Sequence, residues 1–108
     1  MANATNVVPV RGTQQFQGAF SEMWEVTASI DADNLVDAAG DNDTVAVPGV
    51  ALGDMVLGMS FGVDLAGMTV TAYVSAADTV TIRFQNESGG AVNLAATTVK
   101  ILIGRPAW

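Results

Sequence analysis

From Glu22 onward apolar and polar side chains alternate: Trp24, Val26, Ala28 and Ile30 fall on one face and Glu25, Thr27 and Ser29 on the other. Successive side chains of an extended chain point to opposite sides, so a period of two predicts a half-buried β-strand. The pattern recurs in three later runs. Met68, Val70, Ala72 and Val74 oppose Thr69, Thr71, Tyr73 and Ser75. Val80, Ile82 and Phe84 oppose Thr79, Thr81, Arg83 and Gln85, and Val99, Ile101 and Ile103 oppose Thr98, Lys100 and Leu102. Only residues 75–78 separate the first two of these runs, a connection short enough for an antiparallel hairpin. Residues 43–47 read as a shorter strand closed by Pro48 and Gly49, since proline removes a ladder donor and glycine lets the chain bend. Residues 54–61 read as a strand with Met55, Leu57, Met59 and Phe61 on one face and Val56, Gly58 and Ser60 on the other. Residues 91–96 read as a further crossing.

No stretch repeats apolar residues at helical spacing, and the polar stretch 31–43 reads as a loop with room for one helical turn over 32–39. About seven short strands with Gly, Asn, Asp and Pro between them predict an all-β domain, an antiparallel β-sandwich or jelly-roll-like fold, over residues 21–108. Its last residues, 104–108, form a short tail, because Pro106 stops a strand. Residues 1–20 differ, being rich in Asn, Gln, Thr and Gly with isolated Val7, Val8, Val10, Phe16 and Phe20. Pro9 interrupts regular pairing there, so this segment reads as an extended N-terminal arm able to dock Phe16 and Phe20 on a neighbouring subunit.

Composition sharpens this picture in one respect. Half of the chain is apolar and only 14% is charged, against about 25% in ordinary soluble domains. A single copy with so little ionic cover would leave contiguous apolar surface in water, which predicts self-association. The formal net charge of −7, with Arg11, Arg83, Lys100 and Arg105 scattered along the chain, argues against nucleic acid as a partner. The first residues lack the basic and apolar regions of an export signal, and Gly, Asp or Thr interrupts every apolar run short of a membrane span, so no membrane partner is expected.

The chain contains no cysteine and no histidine. Thiolate nucleophiles, imidazole bases and zinc-finger ligands are therefore excluded. Gly58-Met-Ser-Phe-Gly62 matches the spacing of a nucleophile elbow, but the serine has no histidine to activate it and no helix pattern follows. The acidic stretch 31–43 departs from a calcium loop, with Leu35 at the fifth place, Val36 where the turn glycine belongs and Asn42 at the twelfth. No catalytic residue, metal site or cofactor is expected. The triplets at Asn3, Asn42 and Asn86 fit the glycosylation pattern and read as turn chemistry. Large apolar residues near the two ends of the domain are the better candidates for contact with other proteins. The interface anchors expected are Phe16, Phe20, Met23, Trp24 and Trp108, with Arg11 and Arg105 as charge partners.

Residues 51–57 (Ala-Leu-Gly-Asp-Met-Val-Leu), 74–86 (Val-Ser-Ala-Ala-Asp-Thr-Val-Thr-Ile-Arg-Phe-Gln-Asn) and 89–95, with the run Ala-Val-Asn-Leu-Ala, resemble small β-rich bacteriophage virion proteins. They are most similar to the capsid decoration, or cement, proteins of short-tailed phages, cyanophages included. The resemblance covers about half of the chain and leaves out residues 1–20 and 104–108. It implies a non-enzymatic homotrimer, made in the host cytoplasm and carried on the outer surface of an icosahedral capsid, where it bridges neighbouring major capsid proteins. Tail appendages share related patterns, so the alternative expectation is a receptor- or carbohydrate-binding knob of a tail fibre.

Overall fold

The structure is a computed structural model that describes residues 2–10, 19–31 and 34–108. Seven strands appear in chain order: β1 (Ala2–Val10), β2 (Phe20–Ile30), β3 (Gly40–Ala46), β4 (Met55–Phe61), β5 (Thr69–Ala76), β6 (Thr79–Gln85) and β7 (Thr97–Pro106). They are ordered β4-β7-β2-β1-β3-β6-β5. The first four form one antiparallel sheet and β3, β6 and β5 form another, giving the all-β sandwich that the alternation predicts. β1 joins the two, because Val7 and its neighbours pair with β2 while Ala2 and Asn3 lie parallel to Val45 and Ala46 of β3.

The inner faces follow the alternation closely. Trp24, Val26, Ala28 and Ile30 of β2 meet Val99, Ile101 and Ile103 of β7 across one ladder, and Val80, Ile82 and Phe84 of β6 close the core from the second sheet. Phe61 and Phe84 meet edge to face at 6.0 Å, an arrangement that places ring hydrogens against a π-face. The hairpin β5–β6 turns through Ala77 and Asp78, and Asp78 adopts a φ of 60° that aspartate tolerates better than most residues. Its backbone exchanges hydrogen bonds with Val47 and Val50, and its carboxylate accepts the Gly49 N–H at 2.9 Å. That turn is thereby tied to the Pro48–Gly49 bend.

Five local expectations differ from what the chain does. Of the tail read as 104–108, residues 104–106 belong to β7, because Gly104, Arg105 and Pro106 pair with the start of β2. Of the loop read as 31–43, residues 40–43 belong to β3, where β6 supplies their partners. β1 runs through Pro9, which the sequence reading treats as a block to pairing; Pro9 pairs opposite Trp24, at a level where the other side of β1 faces no described strand. Of the segment read as an arm, residues 2–10 are thus β1 and 11–18 lie outside the described residues. Residues 91–96 contribute a single bridge, Leu35 to Val92, and no strand. β4 carries a bulge at Leu57, because Val56 opposes Ile103 while Gly58 opposes Leu102. An extra residue resets which face each side chain takes. Val56, Met59 and Phe61 pack on the core, whereas Met55 and Leu57, which the alternation places on one face with Met59 and Phe61, are exposed.

Asn86 is completely buried and organises the loops at one end of the sandwich. Its amide donates to the carbonyls of Leu35 and Gly90, and its oxygen accepts from the N–H and hydroxyl of Ser88. The amide nitrogen that glycosylation would require is thus committed inside the fold. Replacing it leaves the Ser88 N–H without its acceptor and takes one of two donors from each of the Leu35 and Gly90 carbonyls, which keep the Val92 N–H and the Ser88 hydroxyl, so Asn86→Ala is expected to lower the unfolding free energy by about 2–3 kcal/mol. Gln85→Ala, whose amide lies at the surface, is expected to cost under about 1 kcal/mol, both read from urea denaturation.

Candidate interaction surface

At the end of β7 the inner and outer faces of the first sheet diverge chemically. On the inner side Arg105 closes the core over Trp24, its guanidinium carbon 5.1 Å from the ring centre. Arg105 donates Nε to Asp54 Oδ1 at 2.9 Å and Nη2 to Asp54 Oδ2 at 3.0 Å, the two-pronged geometry that suits a planar guanidinium. It also donates to the Gly49 carbonyl at 2.9 Å and meets Glu22 at 3.5 Å. The hydrogen bonds to Asp54, and after them the charges of Asp54 and Glu22, raise Arg105 above its ordinary value against the opposing effect of burial, so it stays charged wherever the protein is folded. Asp54 is almost fully buried and in turn accepts the Ala51 N–H. Gly49 completes the clasp. At a φ of 99° it takes a conformation few side chains tolerate, and a Cβ there would stand 3.4 Å from the Trp24 indole nitrogen.

On the outer side an apolar patch lies over Gly104. A Cβ at Gly104 would fall 2.7 Å from Cδ1 of Phe20 and 3.1 Å from Cδ1 of Leu57, so the missing side chain lets both rest directly on β7. Two bulges put them there. Ser21 is the extra residue of β2, since Phe20 opposes Pro106 and Glu22 opposes Arg105; Leu57 is the extra residue of β4. The Trp108 ring leans on Phe20 at 6.2 Å, and the chain end is held by the Ala107 N–H on the Ala19 carbonyl. Trp108 remains 81% exposed and Met55, opposite Gly104 on β4, 42%. Beside the patch, on the same face, a shallow groove of about 480 Å³ is lined by Asn6, Glu25, Thr27, Ser60 and Lys100.

The residues expected as interface anchors therefore have different surroundings. Phe20 and Trp108 come together in the patch. Met23 and Trp24 are buried, at 4% and 2% exposure, Trp24 within the main core. Arg105 is engaged by Asp54 and Glu22 of its own chain. Phe16 and Arg11 lie outside the described residues. The alternation places Met55 and Leu57 on one face with Met59 and Phe61, and the bulge that separates the two pairs has no marker in the sequence beyond the adjacent Gly58. Ser60, at the centre of the Gly58–Gly62 motif, sits on a strand with no helix after it. Among the described residues no group of three or more acidic side chains is placed to hold a metal ion.

Comparison of the chain with protein-family models, with curated proteins and with solved structures gives no match.

Arg105→Ala is expected to destabilise the fold by about 2–3 kcal/mol, because the buried Asp54 carboxylate loses its partner. Arg105→Lys recovers part of this, having charge without the fork. Trp108→Ala is expected to change stability by less than about 0.5 kcal/mol. Urea titrations followed by circular dichroism separate the three.

Proposed function

We propose that this chain is a non-enzymatic structural protein of a phage virion, binding the outer surface of an icosahedral capsid as a homo-oligomer and cementing neighbouring major capsid proteins. The observation that carries this reading is the exposed apolar patch of Phe20, Met55, Leu57 and Trp108 at one end of a charge-poor sandwich. Contiguous apolar surface of this kind is costly in water and favourable against another protein. The setting comes from the resemblance of residues 51–57, 74–86 and 89–95 to capsid decoration proteins, and those residues fall on the entry to β4, the β5–β6 hairpin and the loops beyond it.

The mechanism is mechanical. Packaged DNA pushes capsid joints apart, and any protein that binds only the closed joint lowers its free energy relative to the open one. Weak contacts repeated around an oligomer and across a symmetric shell add through effective concentration. A net charge of −7 suits the outside of the shell better than a lumen filled with phosphate. The clasp of Arg105, Asp54 and Trp24 supports the patch from beneath, so the apolar residues are presented on a fixed frame.

Fractionation of purified particles is expected to find the protein in many copies per virion, released together with an increase in capsid fragility to heat or osmotic shock. Absence from the capsid fraction combined with saturable binding to defined glycans would overturn the proposal in favour of a receptor-binding knob.

A further inference from the structure

The outer face of the second sheet differs in chemistry from that of the first. β6 lies between β3 and β5, and the two registers place side chains in rows across it. One row is Thr71, Arg83 and Asn42, and the next is Tyr73, Thr81 and Thr44. Apart from the Tyr73 ring, both rows consist of hydroxyl, amide and guanidinium groups. β5 and β6 contain no acidic residue, and the two on β3, Asp41 and Asp43, pair opposite Phe84 and Ile82, on the side of the sheet that faces the core. In a chain with 11 carboxylate side chains against four Lys and Arg, the charge on these rows is nonetheless a cation.

Arg105 is neutralised by carboxylates of its own chain, whereas Arg83 is positioned by neutral oxygens. Its Nη1 donates to Asn42 Oδ1 and its Nη2 to Gln85 Oε1, each at 3.2 Å, and among the described residues no carboxylate pairs with it. Glu87, past the end of β6, accepts from the Gln85 amide instead. Gly40 completes the seat. A Cβ there would collide with the guanidinium and stand 2.6 Å from Gln85 Oε1, so the missing side chain lets the fork lie across β3. The two bonds occupy two of the five guanidinium donors and leave the others for an incoming acceptor, a geometry that carboxylates match.

Tyr73 is 52% exposed and lies diagonally from Arg83, one row further along the sheet. Diagonal neighbours on a sheet stand about 7–8 Å apart, within reach of long and aromatic side chains acting on one ligand. An aromatic face packs against the C–H face of a sugar ring, and the exposed Thr71 and Asn42 beside it present groups that hydrogen-bond hydroxyls. An apolar partner would find little here to bury beyond one ring.

We infer that the outer face of the β3–β6–β5 sheet binds a carboxylated sugar, a hexuronic acid unit of a polysaccharide, with its carboxylate on Arg83 and its ring on Tyr73. This site goes beyond the virion role and does not depend on it, because the apolar patch lies on the outer face of the other sheet.

The test titrates the full chain at low ionic strength with a galacturonic acid trisaccharide and with the matching neutral galactose trisaccharide, followed by calorimetry. The acidic sugar is expected to bind saturably and about tenfold or more tighter than the neutral one. Arg83→Gln and Tyr73→Ala are each expected to weaken binding about tenfold with circular dichroism and melting temperature unchanged, while Lys100→Gln, which removes a positive charge from the other sheet, leaves it as it is. Absence of saturable binding, equal affinity for the two sugars, or equal weakening by Lys100→Gln overturns the inference. Acetate binding as tightly as the trisaccharide also overturns it, leaving a bare anion site. None of these outcomes bears on whether the protein is found in the capsid fraction. Where a variant loses its fold, amide chemical shifts of the wild type decide: changes confined to β3, β5 and β6 support the site, and changes centred elsewhere reject it.

Discussion

Burial of one apolar face from each of β2, β7 and β6 is the constraint that fixes the rest of the molecule. Val26, Ala28, Val99, Ile101, Ile103, Val80, Ile82 and Phe84 are essentially inaccessible to water, and they occupy the positions that strict alternation dictates. A slip of one residue in any of these strands would turn its entire apolar row outward, so register in the centre of each sheet is specified strongly. Irregularity falls outside these rows, in the bulges at Ser21 of β2 and Leu57 of β4 and in the register shifts of β1 and β5.

Those bulges connect the core to the surface. Each removes one residue from the alternation, and each turns a large apolar side chain outward onto the single glycine of β7. The result is an exposed apolar patch directly above a strand whose inner face is buried in the core. Arg105 lies one residue beyond Gly104 and points the other way, into its contacts with Asp54, Gly49 and Trp24. Adjacent residues of one strand thus supply the floor of the patch and the cap of the core.

The sequence was most informative where alternation ran longest. β2, β5, β6 and β7 were legible because Trp24 to Ile30, Met68 to Val74, Val80 to Phe84 and Val99 to Ile103 keep a period of two without interruption, and the hairpin followed from the short link between the middle pair. β1 was harder to see: polar residues and Pro9 mask a strand whose pairing depends on β2 and β3 far along the chain. The candidate surface was half legible. Phe20 and Trp108 stood out as large residues near the limits of the domain, but Met55 and Leu57 have the same spacing as core residues, and only the paired register with β7 shows that they face out. Arg105 is the converse case. Its charge suggested an external partner, while its bonds to Asp54 link positions that sequence spacing cannot bring together.

In the proposed virion role, the apolar patch of Phe20, Met55, Leu57 and Trp108 is the surface offered to another protein. Electron cryo-microscopy of the purified particle tests this most directly. The account predicts density for several copies of the sandwich at every equivalent joint on the outer capsid surface, with the patch of Phe20, Met55, Leu57 and Trp108 covered by protein. Density confined to a tail tip, or isolated single sandwiches with that patch in solvent, would contradict it.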